Sequence, residues 1–184
     1  MILFCDTSAL VKLYVVEAES AAVKGLVAAS EVVAVCRIAW AEAYAAFSRR
    51  ARAAPADAAA IEDAKRALAR DWPRLLVLEV TQPVVEKAGE LADTFALRAY
   101  DAVQLAAAHH AMVVVQEPLV FGCFDARLKR PLASWEWRRA SVCEQVPSPG
   151  TLGLERIAGS LYDRHAPGQN LGHRPPDAIG EALQ

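Results

Sequence analysis

An α/β fold with a mainly parallel sheet is the class this sequence predicts, and three observations predict it. Short apolar, β-branched runs alternate with longer stretches of helical periodicity, the pattern of a parallel sheet covered by helices on both faces. The chain opens on such a run, Met1-Ile2-Leu3-Phe4-Cys5, which delivers an acid, Asp6, directly before two hydroxyls and a helical pattern. The segment from Pro118 to Phe124 repeats that logic and ends in Asp125.

In order, the opening run reads as a buried strand, and Thr7 or Ser8 is expected to cap the helix that follows. Residues 8–16 and 17–29 read as two helical segments, with Lys12 four residues after Ser8 and so on the same face. Val32-Val33-Ala34-Val35-Cys36 suits a second buried strand. Residues 37–54 are helical, with Trp40, Tyr44 and Phe47 on one apolar stripe and Glu42 set among small and aromatic residues. Pro55 breaks that helix. Residues 56–71 form another, carrying Lys65, Arg66 and Arg70 outward, until Pro73. Residues 75–80 read as a third strand. Thr81 is expected to cap the next helix, which tolerates Pro83 in its first turn and runs to about Ala96. A further helix covers 100–112, a fourth strand 118–125, and a short basic helix 126–133.

Composition narrows the function. At 184 residues the chain can hold one domain with a substantial core and an appendage. A net charge of -2 gives no global attraction to nucleic acid or membrane, so a polyanion site has to be a local patch. The four cysteines (Cys5, Cys36, Cys123 and Cys143) show no CxxC spacing, which argues against structural zinc. No stretch is long enough to span a bilayer, and Asp6 interrupts the first apolar run too early for a signal peptide. The protein reads as cytoplasmic. Beyond Val146 lie six of the nine glycines and five of the ten prolines. Such a segment buries too little apolar surface to offset its ordering entropy, so 1–146 is expected to be the domain and 147–184 a disordered tail. His165 and His173 in that tail match no metal-binding spacing.

The candidate site residues are acids. Asp6 and Asp125 each follow an apolar strand, Asp101 opens a helix, and Glu42 is embedded in one. Each has a purely structural explanation: capping for Asp6 and Asp125, a favourable helix-end charge for Asp101, a surface position for Glu42. Glu42 fits that explanation least, given its apolar surroundings. Four carboxylates in one cleft repel one another unless a divalent cation sits among them. Mg²⁺ or Mn²⁺ prefers such hard oxygen donors and can stabilise charge on a phosphate.

Taken together, Asp6-Thr7-Ser8-Ala9-Leu10, Glu42 in the helix after the second strand, Leu97-Arg98-Ala99-Tyr100-Asp101-Ala102 and Phe124-Asp125-Ala126-Arg127-Leu128 resemble the ordered acidic motifs of PIN-domain ribonucleases, specifically the VapC-type toxins of toxin–antitoxin pairs. The likeness covers roughly the first 130 to 145 residues. It departs after Leu128, where Ala133-Ser134-Trp135-Glu136-Trp137-Arg138-Arg139 and the tail do not follow the pattern. The resemblance implies a three-layer α/β/α sandwich and Mg²⁺-dependent endonucleolytic cleavage of single-stranded RNA, with Mn²⁺ as a substitute. Asp6 and Asp101 become the principal metal ligands, Glu42 and Asp125 bind directly or through water, and Ser8 matches the hydroxyl that helps hold the site. Hydrolysis of this kind leaves a 5′-phosphate and a 3′-hydroxyl. Lys12, Arg49, Arg98 and Arg127 are candidates for RNA-backbone contacts. The family also implies a homodimer and a small cognate antitoxin that fills the groove. Two other readings are open: a catalytically silent PIN-like interaction module, and a phosphatase of the haloacid dehalogenase type. The latter wants a second acid where this chain has Ser8.

Overall fold

The computed structural model describes residues 1–115, 119–125 and 128, together with the backbone of 140–142. Apart from Leu128, the expected short helix over 126–133 lies outside the described residues, as do the expected tail over 147–184, Cys143 and Arg127. Strands and helices alternate: β1 (Ile2–Cys5), α1 (Thr7–Tyr14), α2 (Ser20–Ala29), β2 (Val32–Cys36), α3 (Ala39–Ala53), α4 (Ala58–Asp71), β3 (Leu76–Leu78), α5 (Gln82–Phe95), α6 (Ala99–Val115), β4 (Leu119–Gly122) and β5 (Ala140–Val142). Short 3₁₀ turns at Pro55–Asp57 and Trp72–Arg74 flank α4, each with its proline where a missing N–H does no harm.

The five strands lie in the order β3-β2-β1-β4-β5, and every neighbouring pair is parallel. In register, Ile2 faces Val32 on one side and Leu119 on the other, and Cys5 faces Gly122. The chain builds outward from β1 through β2 to β3, then crosses back to place β4 on the other side of β1. That reversal leaves a crevice outside the carboxyl ends of β1 and β4, where open α/β sheets bind ligands.

Successive side chains of a strand point to opposite faces, and β1 feeds two cores in that way. Ile2 and Phe4 pack with Leu91, Leu105 and Ala106, so α5 and α6 cover one face. Leu3 and Cys5 pack with Leu10, Val23, Phe47, Ile61 and Leu68, so α1 to α4 cover the other. The result is the expected α/β/α sandwich. Phe4 and Phe121 stack across β1 and β4 with ring centroids 5.4 Å apart. On α3, the expected aromatic stripe stacks Trp40 on Tyr44 and sets Trp40 edge-on to Trp72, each at 5.0 Å. α6 departs from amphipathic expectation: Ala102, Gln104, Leu105, Ala106, Ala107, Ala108, Ala111 and Met112 are all buried. Its small side chains let it seat closely against both the sheet and α5.

Several local expectations are corrected. Asp6, not Thr7 or Ser8, caps α1, because the helix begins directly after the strand and the Asp6 carboxylate accepts from Ser8 N–H. Residues 15–19 break the helix between α1 and α2. Thr81 occupies the capping position of α5 but makes no side-chain capping bond. β3 is shorter than 75–80. β4 ends at Gly122, so Asp125 stands three residues beyond it in a loop. At the end of α5, Ala96 takes the left-handed conformation (φ 54°, ψ 43°) usually given to glycine.

Candidate active site

The first acid is fixed by the sheet. The Asp6 backbone N–H donates to Gly122 O at 3.0 Å, carrying the pairing of β1 with β4 one residue past the strands, and its carbonyl accepts from Ala9 and Leu10 N–H, both at 2.9 Å. Its side chain is only 7% exposed. Oδ2 accepts from Ser8 Oγ at 2.7 Å, from Ser8 N–H at 3.2 Å and from the Cys123 thiol at 3.5 Å. Burial pushes the Asp6 carboxyl above the ordinary carboxylate range, and the bonds from Ser8, Thr7 and Cys123 pull back only part of the way. No cation of the described residues pairs with it.

The loop after β4 closes over this acid. Phe124 N–H donates to Ser8 Oγ at 2.9 Å, and Asp125 N–H donates to Cys123 Sγ at 3.3 Å. Cys123 is buried, and burial with the neighbouring Asp6 charge pushes its thiol up to about 12, so it stays protonated. Cys5 and Cys36 are likewise buried free thiols. Leu128 N–H donates back to Asp125 O at 3.1 Å and anchors the far side of the loop.

Glu42 comes from the first turn of α3. Its Oε2 accepts from Thr7 Oγ1 at 2.6 Å and from Gln104 Nε2 at 2.6 Å. Gln104 lies one turn after Asp101 on α6 and also donates to Thr7 Oγ1 at 2.8 Å. Asp6, Glu42, Asp101, Asp125 and Ser8 thus line one cleft of about 590 Å³, at the carboxyl ends of β1 and β4.

The cations divide sharply. Lys12 lines the cleft, but its ammonium is held by Glu17 at 3.0 Å, Glu19 at 3.2 Å and the Ala18 carbonyl at 2.9 Å, and lies 5.0 Å over the Phe124 ring. Burial works against that charge, but the two glutamates outweigh it and raise the Lys12 pKa. Arg50 also lines the cleft and pairs with Asp57 at 3.2 Å. Arg49 lines it and has no ion pair among the described residues. Arg98 is exposed at the start of α6 and is not among the lining residues.

Four positions escape a reading of the sequence: Thr7 as the partner of Glu42, Gln104, the Cys123 thiol against Asp6, and Tyr100 on the cleft wall. Gln104 did carry a signal. It is the one polar residue between Ala102 and Ala108, in a run whose neighbours read as core.

Chemically, the cleft offers hard oxygen donors from four separate elements, with Asp6 buried and lacking a cationic partner among the described residues. That donor set fits a hard divalent ion such as Mg²⁺. Among the described residues, no three His, Cys, Asp or Glu side chains converge closely enough to enclose an ion.

A parallel sandwich carrying an acid-lined cleft at the β1/β4 crevice defines an α/β protein of PIN type. The PIN domain family matches residues 3–131, and the chain belongs to that family. Two curated relatives share 33% identity with it over 127 residues, which is 69% of this chain and 86% of theirs. They are Ribonuclease VapC45 of Mycobacterium tuberculosis strain CDC 1551 / Oshkosh and Ribonuclease VapC49 of strain ATCC 25618 / H37Rv. A chain from a structure described as a toxin-antitoxin complex from Klebsiella pneumoniae superposes with a TM-score of 0.51 at 17% identity, over 76% of this chain and 95% of that one, a likeness of fold. No helix of the described residues is long and apolar enough to cross a membrane.

Proposed function

We propose that this protein is the toxin of a type II toxin–antitoxin pair, an endoribonuclease that cleaves single-stranded RNA in the cytoplasm with Mg²⁺ or Mn²⁺. The observation that carries the reading is the shared cleft of Asp6, Glu42, Asp101 and Asp125, in a PIN-family chain whose relatives are named ribonucleases. The four carboxylates would hold the metal, Asp6 and Asp101 as principal ligands, once the ion draws them together. When bound, the ion supplies charge stabilisation at the phosphate and a more acidic water.

The chain's own groups do the rest. Ser8 orients the Asp6 carboxylate by two bonds to Oδ2, and the same hydroxyl pins the Phe124 backbone. Arg49 contacts the RNA backbone, because its charge is not consumed by a neighbouring acid as those of Lys12 and Arg50 are. Lys12 instead ties α1 to the 17–19 segment and shapes one wall. Arg98, exposed and off this cleft wall, and Arg127 are further candidates for RNA contacts. The protein works as a homodimer and is silenced by a small cognate antitoxin.

Purified protein incubated with single-stranded RNA should cut it when Mg²⁺ or Mn²⁺ is added and stop when EDTA is added. Undiminished cleavage in EDTA, in a preparation free of other nucleases, overturns the reading. Metal binding without cleavage of any RNA favours a silent interaction module.

A further inference from the structure

Gln104 sits in the middle of α6, flanked by buried alanines and Leu105, and is itself 1% exposed. Packing does not account for a glutamine there. Its Oε1 is buried with no hydrogen-bond partner among the described residues, and burying an amide oxygen without a partner is unfavourable. A leucine or methionine would fill similar space without that penalty.

The other end of the amide is fully used. Nε2 has two protons, one directed to Thr7 Oγ1 at 2.8 Å and one to Glu42 Oε2 at 2.6 Å. The Thr7 hydroxyl has one proton, and it goes to Glu42 Oε2 at 2.6 Å, so the hydroxyl must accept from Gln104. Donor and acceptor roles are therefore set throughout a closed ring built from α1, α3 and α6. Both bonds to Glu42 fall on Oε2.

We infer that Gln104 and Thr7 are positioning residues, a clamp that fixes the Glu42 carboxylate by one oxygen and leaves Oε1 for the metal in the cleft. α6 carries Asp101 one turn before Gln104, so the clamp also sets Glu42 in register with Asp101. The inference rests on the proposed metal-dependent reading and extends it to two residues that act through the Glu42 carboxylate, Thr7 on the cleft wall and the buried Gln104 behind it. Groups that orient metal-binding side chains in this way typically change metal affinity or activity by about ten- to a hundredfold when removed.

The test compares the parent with Gln104→Leu, Thr7→Val and Thr7→Ser, using Mg²⁺ titration calorimetry and RNA-cleavage kinetics. Gln104→Leu relieves the unpartnered Oε1 but gives up two hydrogen bonds, so it should fold and melt without metal near the parent temperature, bind Mg²⁺ roughly tenfold more weakly, and lose kcat with an unchanged KM for RNA. Thr7→Val should behave alike, and Thr7→Ser, which keeps the hydroxyl, should match the parent. Should Gln104→Leu fail to fold, the Thr7 pair carries the same comparison. Parent-like Mg²⁺ affinity in both Gln104→Leu and Thr7→Val, with the parent itself binding Mg²⁺, overturns the clamp alone. A parent that binds no Mg²⁺ overturns the nuclease reading and the clamp with it.

Discussion

The Ser8 hydroxyl donates to Asp6 Oδ2 at 2.7 Å while accepting the Phe124 N–H at 2.9 Å, so one side chain fastens the acid after β1 to the loop after β4. Removing it strips a charge-assisted bond from a buried carboxylate and leaves a backbone donor unpaired. Hydrogen bonds to charged groups contribute about 1.5–3 kcal/mol. Ser8→Ala should therefore lose about 2 kcal/mol of unfolding free energy in urea without metal, together with metal-dependent cleavage. A loss below about 0.5 kcal/mol would place Ser8 among ordinary surface substitutions.

The buried Asp6 gives a pH signature. Its folded carboxyl titrates above the ordinary 3.8, chiefly because burial disfavours the charge. A group raised in this way contributes stability that is fully present below 3.8 and is lost as pH rises through the folded value. Asp6→Asn removes the charge and keeps a capping oxygen. In EDTA, the variant should gain on the parent as pH climbs from below 3.8 to neutral. Paired denaturant titrations across that range measure the difference. A gap that is constant or shrinks with rising pH would mean that burial does not penalise this charge.

Ala96 ends α5 at φ 54°, a conformation that costs an L-residue about 1–2 kcal/mol and glycine little. Ala96→Gly should be more stable by about 1 kcal/mol, after glycine's greater unfolded-state freedom is counted. Thermal melts check this. A destabilised variant would show that the alanine methyl makes a contact worth more than the strain.

The PIN family match ends at residue 131, and the glycine- and proline-rich composition begins after Val146. A chain of residues 1–146 should then unfold cooperatively at the parent's temperature, with the same shift on adding Mg²⁺. Loss of cooperativity in the shortened chain would make 147–184 part of the folded unit.

What the sequence revealed, and what it hid, follows the range of the interactions. β1 and Asp6 were legible because an apolar run, an acid and a helix start are all local. The acids could be ranked together because each sits at an element end or in an apolar setting. A division into two helices after Val16 was legible, but not the extent of the break at 15–19: Glu17 and Glu19 read as helix residues, yet they turn back to hold the Lys12 ammonium. That contact also removes Lys12 from the freely available cations, a distinction that spacing from Ser8 could not draw. The Thr7–Gln104–Glu42 ring joins residues 35, 62 and 97 positions apart. No periodicity within one element encodes it, and only the oddity of a lone glutamine in α6 hinted at it. Ser8 capping failed for a smaller reason: the strand hands over to the helix one residue early, so Asp6 takes the cap.

If the four acids form one metal-holding site, Asp101→Asn should uncouple metal binding from the fold. Asparagine keeps the shape of Asp101 and removes only its charge, so the variant without metal should be about as stable as the parent. A ligand that binds only the folded state stabilises it, and an amide is the poorer donor for a hard cation. The measurement is a pair of denaturant titrations, in Mg²⁺ and in EDTA, on parent and variant, with RNA cleavage followed alongside. Mg²⁺ should stabilise the parent strongly and Asp101→Asn much less, and cleavage by the variant should fall sharply. A variant destabilised by the same amount in both conditions, and still cutting RNA, would make Asp101 a structural helix-end charge and contradict the site.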